Sequence, residues 1–238
     1  MEEVIFLLVV VLIASLLQAS TGYGFSIVAV PFMLLLYPSH MAVQVNMVLS
    51  LCLSGFMLFK IGKEVDRRLL VDLIKGSAVG LIPGILIYLY VNVHLLKMVV
   101  GAFILIFTVL LILKVTVRQS KNKDLFAGGF SGMLAAGIGV PGPPLLLYFS
   151  GAKIERAVLR STTLAYYLFI YLIGLVLQIT FGGTSQKVWV TSAIALPALI
   201  AGILLGQLLF RWMGAGTFRI ITYIILFITG AYLLGAGF

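Results

Sequence analysis

Two glycine pairs, Gly22-Tyr23-Gly24 and Gly137-Ile138-Gly139, are the residues of this sequence best suited to form a binding site. Glycine lets the backbone leave a helix and approach a ligand closely. A helix that starts again after such a break has free N–H groups and a partial positive charge at its N-terminus, which bind anions. Pro31 lies downstream of the first pair, and the second leads into Pro141-Gly142-Pro143-Pro144. The pattern predicts two helix breaks at which these glycines, Gly142 included, approach an anionic substrate.

Polar side chains stand near the start of the apolar span that follows each break. They are Gln44 and Asn46 in the first half of the chain, and Arg160, Ser161 and Thr162 in the second. A charge inside a membrane span is costly and therefore indicates function. The guanidinium group of Arg160 also has a fork of donors that suits an oxyanion such as sulfite, sulfonate or carboxylate. We predict that these five residues line the path of a small anion.

Other interpretations of these residues stay open at the level of sequence. The glycines also suit close helix packing, and Ser and Thr hydroxyl groups commonly join membrane helices to one another. Arg160 could extend to the cytoplasmic headgroups or pair with Glu155.

The two breaks belong to an internal repeat. A displacement of 115 residues, the separation of Gly22 from Gly137, also brings Ala42-Val43 onto Ala157-Val158 and Asn46 onto Ser161. Interrupted segments at matching places in two halves are a sequence sign of a transporter's substrate site. We therefore predict membrane repeats at 1–118 and 125–238, joined by a cytoplasmic hinge at 119–124.

The composition requires a membrane to position these elements. Apolar residues make up 62% of the 238 residues and charged residues 10%, with a mean hydropathy of +1.22, whereas a soluble domain has about 25% charged residues. There is room for roughly ten hydrophobic segments of about 20 residues. We predict an all-α polytopic membrane protein of two repeats with about five hydrophobic segments each, including short half-helices at about 25–37 and 145–149.

Charge predicts the orientation of these segments. The net charge of +9 comes from Lys and Arg residues that flank the spans in short loops, as the positive-inside rule expects of a membrane protein rather than a nucleic-acid-binding one. With five passes per half and both termini outside, only Lys97 and Lys187 fall on the outer side. If the short pieces are treated as re-entrant, the predicted distribution of basic residues fits the positive-inside rule much worse. Because five is odd, the two repeats are predicted to be inverted.

Catalytic and cofactor motifs are missing from the sequence. It has no GxxxxGK[ST] motif and no Cys/His cluster with metal-ligand spacing, and its seven acidic residues lie in predicted loops or near span ends. We therefore expect neither an enzyme nor a cofactor or bound metal. The expected partners are a small anionic substrate and the lipid bilayer, not nucleic acid, and a homodimer stays open.

At these residues the sequence resembles the sulfite exporter TauE/SafE family of small bacterial membrane proteins. The matching positions are Gly22, Gly24 and Pro31, then Gly137, Gly139 and Pro144, with an Ala-Val pair after each stretch. The resemblance spans nearly the whole chain. It implies movement of sulfite, sulfonates or related small anions across the cytoplasmic membrane, usually outward.

The sequence therefore predicts a secondary transporter in the cytoplasmic (inner) membrane of a prokaryote that exports small sulfur-containing anions. Two alternatives remain. One is an anion channel or facilitator for other carboxylates or oxyanions, and the other is a non-transporting membrane scaffold.

Overall fold

The computed structural model of the protein describes residues 1–61, 64–113, 119–150 and 154–212, with short pieces at 223–224, 227–228, 230–232 and 234–235. The described residues form helices and contain no strand. The helices are α1 Glu2–Thr21, α2 Phe25–Leu36, α3 Ser39–Ile61, α4 Arg67–Tyr90, α5 Val93–Ile112, α6 Lys121–Ile138, α7 Gly142–Ser150, α8 Arg156–Gly182 and α9 Gln186–Trp212.

The prediction of an all-α polytopic membrane protein is confirmed. Five helices, α1, α3, α4, α8 and α9, are long and apolar enough to cross a membrane by length and composition. At 1.5 Å per residue, α2 is about 18 Å long and α7 about 14 Å, so each is shorter than the hydrocarbon core of about 30 Å. The last predicted span, 217–234, lies mostly outside the described residues.

Left-handed glycines interrupt the chain where the sequence predicts breaks. Gly22, at φ 90°, ends α1, and Gly24, at φ 118°, precedes α2. Gly139, at φ 71°, ends α6. These positive φ values strongly disfavour a residue with a Cβ atom, which explains why the breaks could be located from glycine alone.

The start of α6 differs from the predicted hinge. Helix α6 begins at Lys121, so the last four hinge residues form its first turn. Asp124 favours this turn because an acidic side chain stabilises a helix N-terminus. Its carboxylate is buried and accepts a hydrogen bond of 2.5 Å from the Tyr148 hydroxyl of α7. Asp72 is also buried, near the start of α4, and both acids lie near helix ends, as the sequence suggests.

Two parallel helix pairs pack most closely among the helices that the structure describes. Helix α4 lies on α6, where a Cβ at Gly76 would overlap Leu125 and one at Gly80 would overlap Gly129. Helix α1 lies on α9, where a Cβ at Gly206 would overlap the backbone carbonyl of Leu16. Both pairs join helices from opposite halves of the chain. Small residues permit this approach, as in membrane bundles generally.

Helices α3 and α8 pack against each other in antiparallel directions between these pairs. Gln44, near the start of α3, binds Gly183 at the end of α8, whereas Gly55 lies beside Leu168 farther back along α8. Beyond the end of α3, the Asp66 N–H group donates to the Thr162 hydroxyl. This crossing places the start of each helix beside the end of the other.

One end of the bundle, named here the basic end, holds the final turns of α1, α3 and α9 and the first turns of α4, α6 and α8. Contacts that tie these turns together are Lys60 to Gln207 (3.5 Å), Asp66 to Thr162 (2.9 Å) and Arg160 to Ala19. Exposed basic side chains gather here: Lys60, Arg67, Arg68, Lys121 and Lys123.

Candidate functional site

The first break is capped by a glutamine of α1. The Phe25 N–H group, at the start of α2, donates to Gln18 Oε1 over 3.0 Å. One of the free donors expected at this helix N-terminus is therefore satisfied within the protein. Gln18 Nε2 is buried and has no hydrogen-bond partner among the described residues. The Gln18 amide thus accepts one backbone N–H group and leaves its own two N–H donors in the protein interior.

Arg160 lies directly against the first break. A Cβ on Gly22 would contact the Arg160 Cα at 2.9 Å, so the glycine also provides room for the start of α8. The guanidinium group is buried, and its Nη2 atom donates to the Ala19 carbonyl at the end of α1. Arg160 therefore points into the protein rather than out to headgroups, while Glu155 is exposed. Among the side chains that the structure describes, no other Lys or Arg is buried.

The second break presents oxygen atoms instead of N–H groups. Asn46 Nδ2 donates to the Gly139 carbonyl over 2.9 Å, and the Tyr171 hydroxyl lies 3.5 Å from the same oxygen. Helix α7 begins at Gly142, and its next two residues are Pro143 and Pro144, which have no N–H group. The expected cluster of donors at the start of α7 is therefore small, because proline replaces the residues that would provide it.

Between the breaks lies a group of buried side chains, named here the central polar cluster: Ser26, Asn46, Ser50, Tyr167 and Tyr171. The Tyr171 hydroxyl is beside the side chains of Ser26, Asn46 and Ser50. The rings of Tyr167 and Tyr171 have centroids 5.7 Å apart. The cluster therefore combines residues from α2, α3 and α8.

The two breaks meet at this cluster. A Cβ on Gly142, at the start of α7, would lie 3.1 Å from a methyl group of Ile27 in α2 and 3.2 Å from the Tyr167 hydroxyl. The first turns of the two half-helices are thus in contact, as two interrupted segments that share one site require.

Several polar atoms in and near the cluster are buried without a hydrogen-bond partner among the described residues. They are Asn46 Oδ1, Ser50 Oγ, Ser54 Oγ, the Tyr167 hydroxyl and Gln18 Nε2. An unsatisfied buried polar group costs about 1–3 kcal/mol, and native proteins satisfy nearly all such groups with protein or water. This concentration indicates a place that water or a polar ligand occupies.

The structure brings some of the predicted site residues together. Asn46, Gly139 and Gly142 adjoin the central polar cluster, while Gly22, Gly24 and Arg160 form the first break.

Four other predicted residues have different surroundings. Gln44 binds the Tyr88 hydroxyl and the Gly183 carbonyl at the end opposite to the basic end. Thr162 binds Asp66 at the basic end, and Gly137 packs against Gly84 and Ile87 of α4. Ser161 is fully buried in α8.

Five residues that adjoin the site were not among the predicted site residues: Gln18, Ser26, Ser50, Tyr167 and Tyr171. Helical spacing in the sequence could have identified three of them, Ser50, Tyr167 and Tyr171. Asn46, Ser50 and Ser54 recur every four residues on α3, as Thr163, Tyr167 and Tyr171 do on α8, so each set lies along one face. Polar stripes on otherwise apolar spans face the bundle interior, because lipid does not satisfy their hydrogen bonds.

The fold is that of a multi-pass membrane protein built around interrupted helices, because it combines long apolar helices, two short half-helices and a polar interior. A family model described as sulfite exporter TauE/SafE matches residues 7–233. The chain belongs to this family, which is a family of membrane transporters, and the predicted family is thereby confirmed. Neither the search of curated proteins nor the search of solved structures finds a match.

Proposed function

We propose that this protein is a secondary transporter that exports sulfite, organosulfonates or similar small sulfur-containing anions across the cytoplasmic membrane. The observation that carries the proposal is the central polar cluster, where the hydroxyl groups of Ser50 and Tyr167 are buried without partners among the described residues. The family supports the substrate class. Neutral donors of this kind replace the water around an anion without binding it too tightly to be released.

Positive charge at the first break would attract the anion to the cluster. The N-terminus of α2 carries a partial positive charge, and Gln18 Nε2 and the Arg160 guanidinium lie beside it. Arg160 precedes Tyr167 by seven residues on α8, which is about 10 Å along the helix. An anion in the cluster therefore lies within reach of the field of this cation.

Closed contacts on either side of the cluster suit alternating access. At the basic end Thr162 binds Asp66, and at the opposite end Gln44 joins Tyr88 to Gly183 with hydrogen bonds of 2.9 and 2.8 Å. Opening one set of contacts while the other stays closed would expose the cluster to one side of the membrane at a time.

An inverted repeat would explain how the two sets of contacts exchange. The pairing of α1 with α9 and of α4 with α6 is what a two-fold axis produces, since it relates the first and fourth helices of the two halves. The breaks follow the same rule. Arg160 and Asn46, from matching regions of α8 and α3, each pack against the break of the other half.

The basic end would face the cytoplasm. Its exposed basic residues, such as Lys60, Arg67 and Lys121, follow the positive-inside rule in that orientation. Because α1 runs toward the basic end, the N-terminus would then lie outside.

A screen of anions against the purified protein tests the proposal. Thermal stability in detergent and flux in proteoliposomes are measured with sulfite, thiosulfate, small sulfonates and small carboxylates. We expect stabilisation and saturable flux with the sulfur-containing anions. Flux no greater than in empty liposomes for every sulfur-containing anion would overturn the proposal, and flux that never saturates would indicate a channel.

A further inference from the structure

We propose that the ligand of the central polar cluster is a monoanion that also donates a hydrogen bond, such as bisulfite or a hydroxysulfonate, and that an anion without a donor binds much more weakly. This inference rests on the proposed function and specifies its substrate. It follows from the orientation of buried side-chain amides around the two breaks.

The amide of Asn46 has only one reasonable orientation. Its Nδ2 atom donates to the Gly139 carbonyl over 2.9 Å, and the reversed orientation would place two acceptor oxygens against each other. Asn46 Oδ1 therefore points elsewhere, buried and without a partner among the described residues. An amide oxygen accepts hydrogen bonds and never donates them.

The amide of Gln18 is oriented in the opposite sense. Its Oε1 atom accepts from the Phe25 N–H group, which leaves Nε2, a pure donor, without a partner among the described residues. The first break therefore offers donors and the nearby charge of Arg160, whereas the second break offers the acceptor Oδ1 of Asn46 beside the Gly139 carbonyl. The site has a donor side and an acceptor side.

Residues from both breaks meet in the central polar cluster. Ser26, in the first turn of α2, and Asn46, on α3, both lie beside the Tyr171 hydroxyl. A small ligand beside the Tyr171 hydroxyl is therefore next to both the first turn of α2 and the Asn46 amide. The hydroxyl groups of Ser50 and Tyr167 can donate or accept and fit either part of the ligand.

A dianion, or an anion whose polar atoms are all hydrogen-bond acceptors, fits this site poorly. Its oxygen atoms would face the Asn46 and Gly139 oxygens, and a hydroxyl group that turned to donate to Asn46 Oδ1 would no longer donate to the anion. A site built to hydrogen-bond a ligand hydroxyl group rejects an analogue that lacks it, because the buried polar group of the protein is left unpaired.

A matched pair of sulfonates tests the inference. Ethanesulfonate and 2-hydroxyethanesulfonate have the same charge and differ by one hydroxyl group. Each is titrated as a competitor of labelled sulfite flux in proteoliposomes that contain the full-length protein. We expect 2-hydroxyethanesulfonate to inhibit at a concentration at least about tenfold lower.

Two variants locate the acceptor. Asn46→Ala removes the amide oxygen and should make the two sulfonates equally effective. Gln178→Ala is the control. Like Asn46, Gln178 donates to a backbone carbonyl, that of Ala136, and has a buried oxygen without a partner among the described residues. Unlike Asn46, it lies outside the cluster, seven residues beyond Tyr171 on α8. This variant should keep the preference. If Asn46→Ala does not fold, the comparison of the two sulfonates in the unmodified protein still decides.

The possible outcomes separate the inference from the proposed function. If sulfite is transported and ethanesulfonate competes as well as its hydroxylated partner, the inference is overturned and the function stands. Loss of the preference in Gln178→Ala, with its retention in Asn46→Ala, would also overturn it. If neither sulfite nor any of the sulfonates is transported, the proposed function fails and the inference fails with it.

Discussion

Arg160 is a cationic side chain in the interior of a membrane bundle, held by contacts from the other half of the chain. Its backbone touches Gly22, and its guanidinium group donates to Ala19. Burying a charge is expensive unless the environment offsets the cost. The last turn of α1, which contains Ala19, provides part of that offset, since the C-terminal carbonyls of a helix carry partial negative charge.

Replacement of Arg160 should weaken anion binding. In Arg160→Gln, the positive charge near the cluster is lost, and we expect affinity for the transported anion to fall about tenfold, as for a unit charge about 10 Å away at an effective dielectric constant of about 20. Arg160→Lys should restore it only in part, because lysine lacks the planar fork of donors. Titration calorimetry in detergent measures the affinity.

Lys187→Gln provides the control for charge. Lys187 is exposed in the first turn of α9, so its removal should leave the affinity unchanged. Equal affinity in Arg160→Gln and the unmodified protein would show that Arg160 has a purely structural role.

At the scale of helices, the close approach of two backbones depends on glycine, which has a hydrogen atom where other residues have a Cβ. A Cβ at Gly80 of α4 would overlap the Gly129 carbonyl of α6. The backbone carbonyl cannot move aside as a flexible side chain would, so the helices must separate.

Gly80→Ala should therefore destabilise the protein. We expect the free energy of unfolding to fall by about 1–3 kcal/mol or more, measured as a lower Tm in detergent. Gly55→Ala is the matched control, because a Cβ there would meet only a methyl group of Leu168 at 3.8 Å, and it should be neutral or slightly stabilising. If both variants have the same Tm, the α4–α6 approach is not tight.

The helices and their breaks could be predicted because they depend on local chemistry. Glycines at positive φ mark the breaks at Gly22 and Gly139, and long apolar runs mark the spans. The start of α6 was harder, since the residues from Lys121 to Asp124 are as polar as a loop. The burial of Asp124 depends on Tyr148 of α7, which no local pattern reveals.

The site was harder to predict because its partners are far apart in sequence. Gln44 and Asn46 are two positions apart and equally polar, yet Gln44 faces Gly183 while Asn46 faces Gly139. A helix rotates about 100° per residue, so neighbouring positions face different surroundings. The polar stripe of Asn46 and Ser50 was visible in the spacing, but the Tyr171 hydroxyl at its centre is set by the packing of α8 on α3.

At the scale of the molecule, the orientation can be tested by cysteine labelling. Single cysteines at Lys121 and Lys187 are placed in a Cys52→Ser background and treated with a membrane-impermeant maleimide on intact cells. We expect labelling at position 187 only, because position 121 lies at the basic end, which should face the cytoplasm. The reverse pattern would contradict the orientation.

Voltage should drive the export of an anion. Moving one negative charge outward across an inside-negative membrane gains about 2.3 kcal/mol per 100 mV, which needs no buried proton relay. In proteoliposomes, a potential set with potassium and valinomycin should accelerate outward flux of the anion. Flux that ignores the potential would indicate electroneutral exchange or cotransport instead.

Transport by variants of the central polar cluster tests the account most directly. Ser50→Ala and Tyr167→Phe each remove one buried hydroxyl group that has no partner among the described residues. Ser192→Ala removes an equally buried hydroxyl that bonds to the Val188 carbonyl of its own helix over 2.8 Å. Sulfite counterflow in proteoliposomes should fall about tenfold in the first two variants and stay unchanged in the third. Unchanged counterflow in both Ser50→Ala and Tyr167→Phe would contradict the claim that the anion binds between the two breaks.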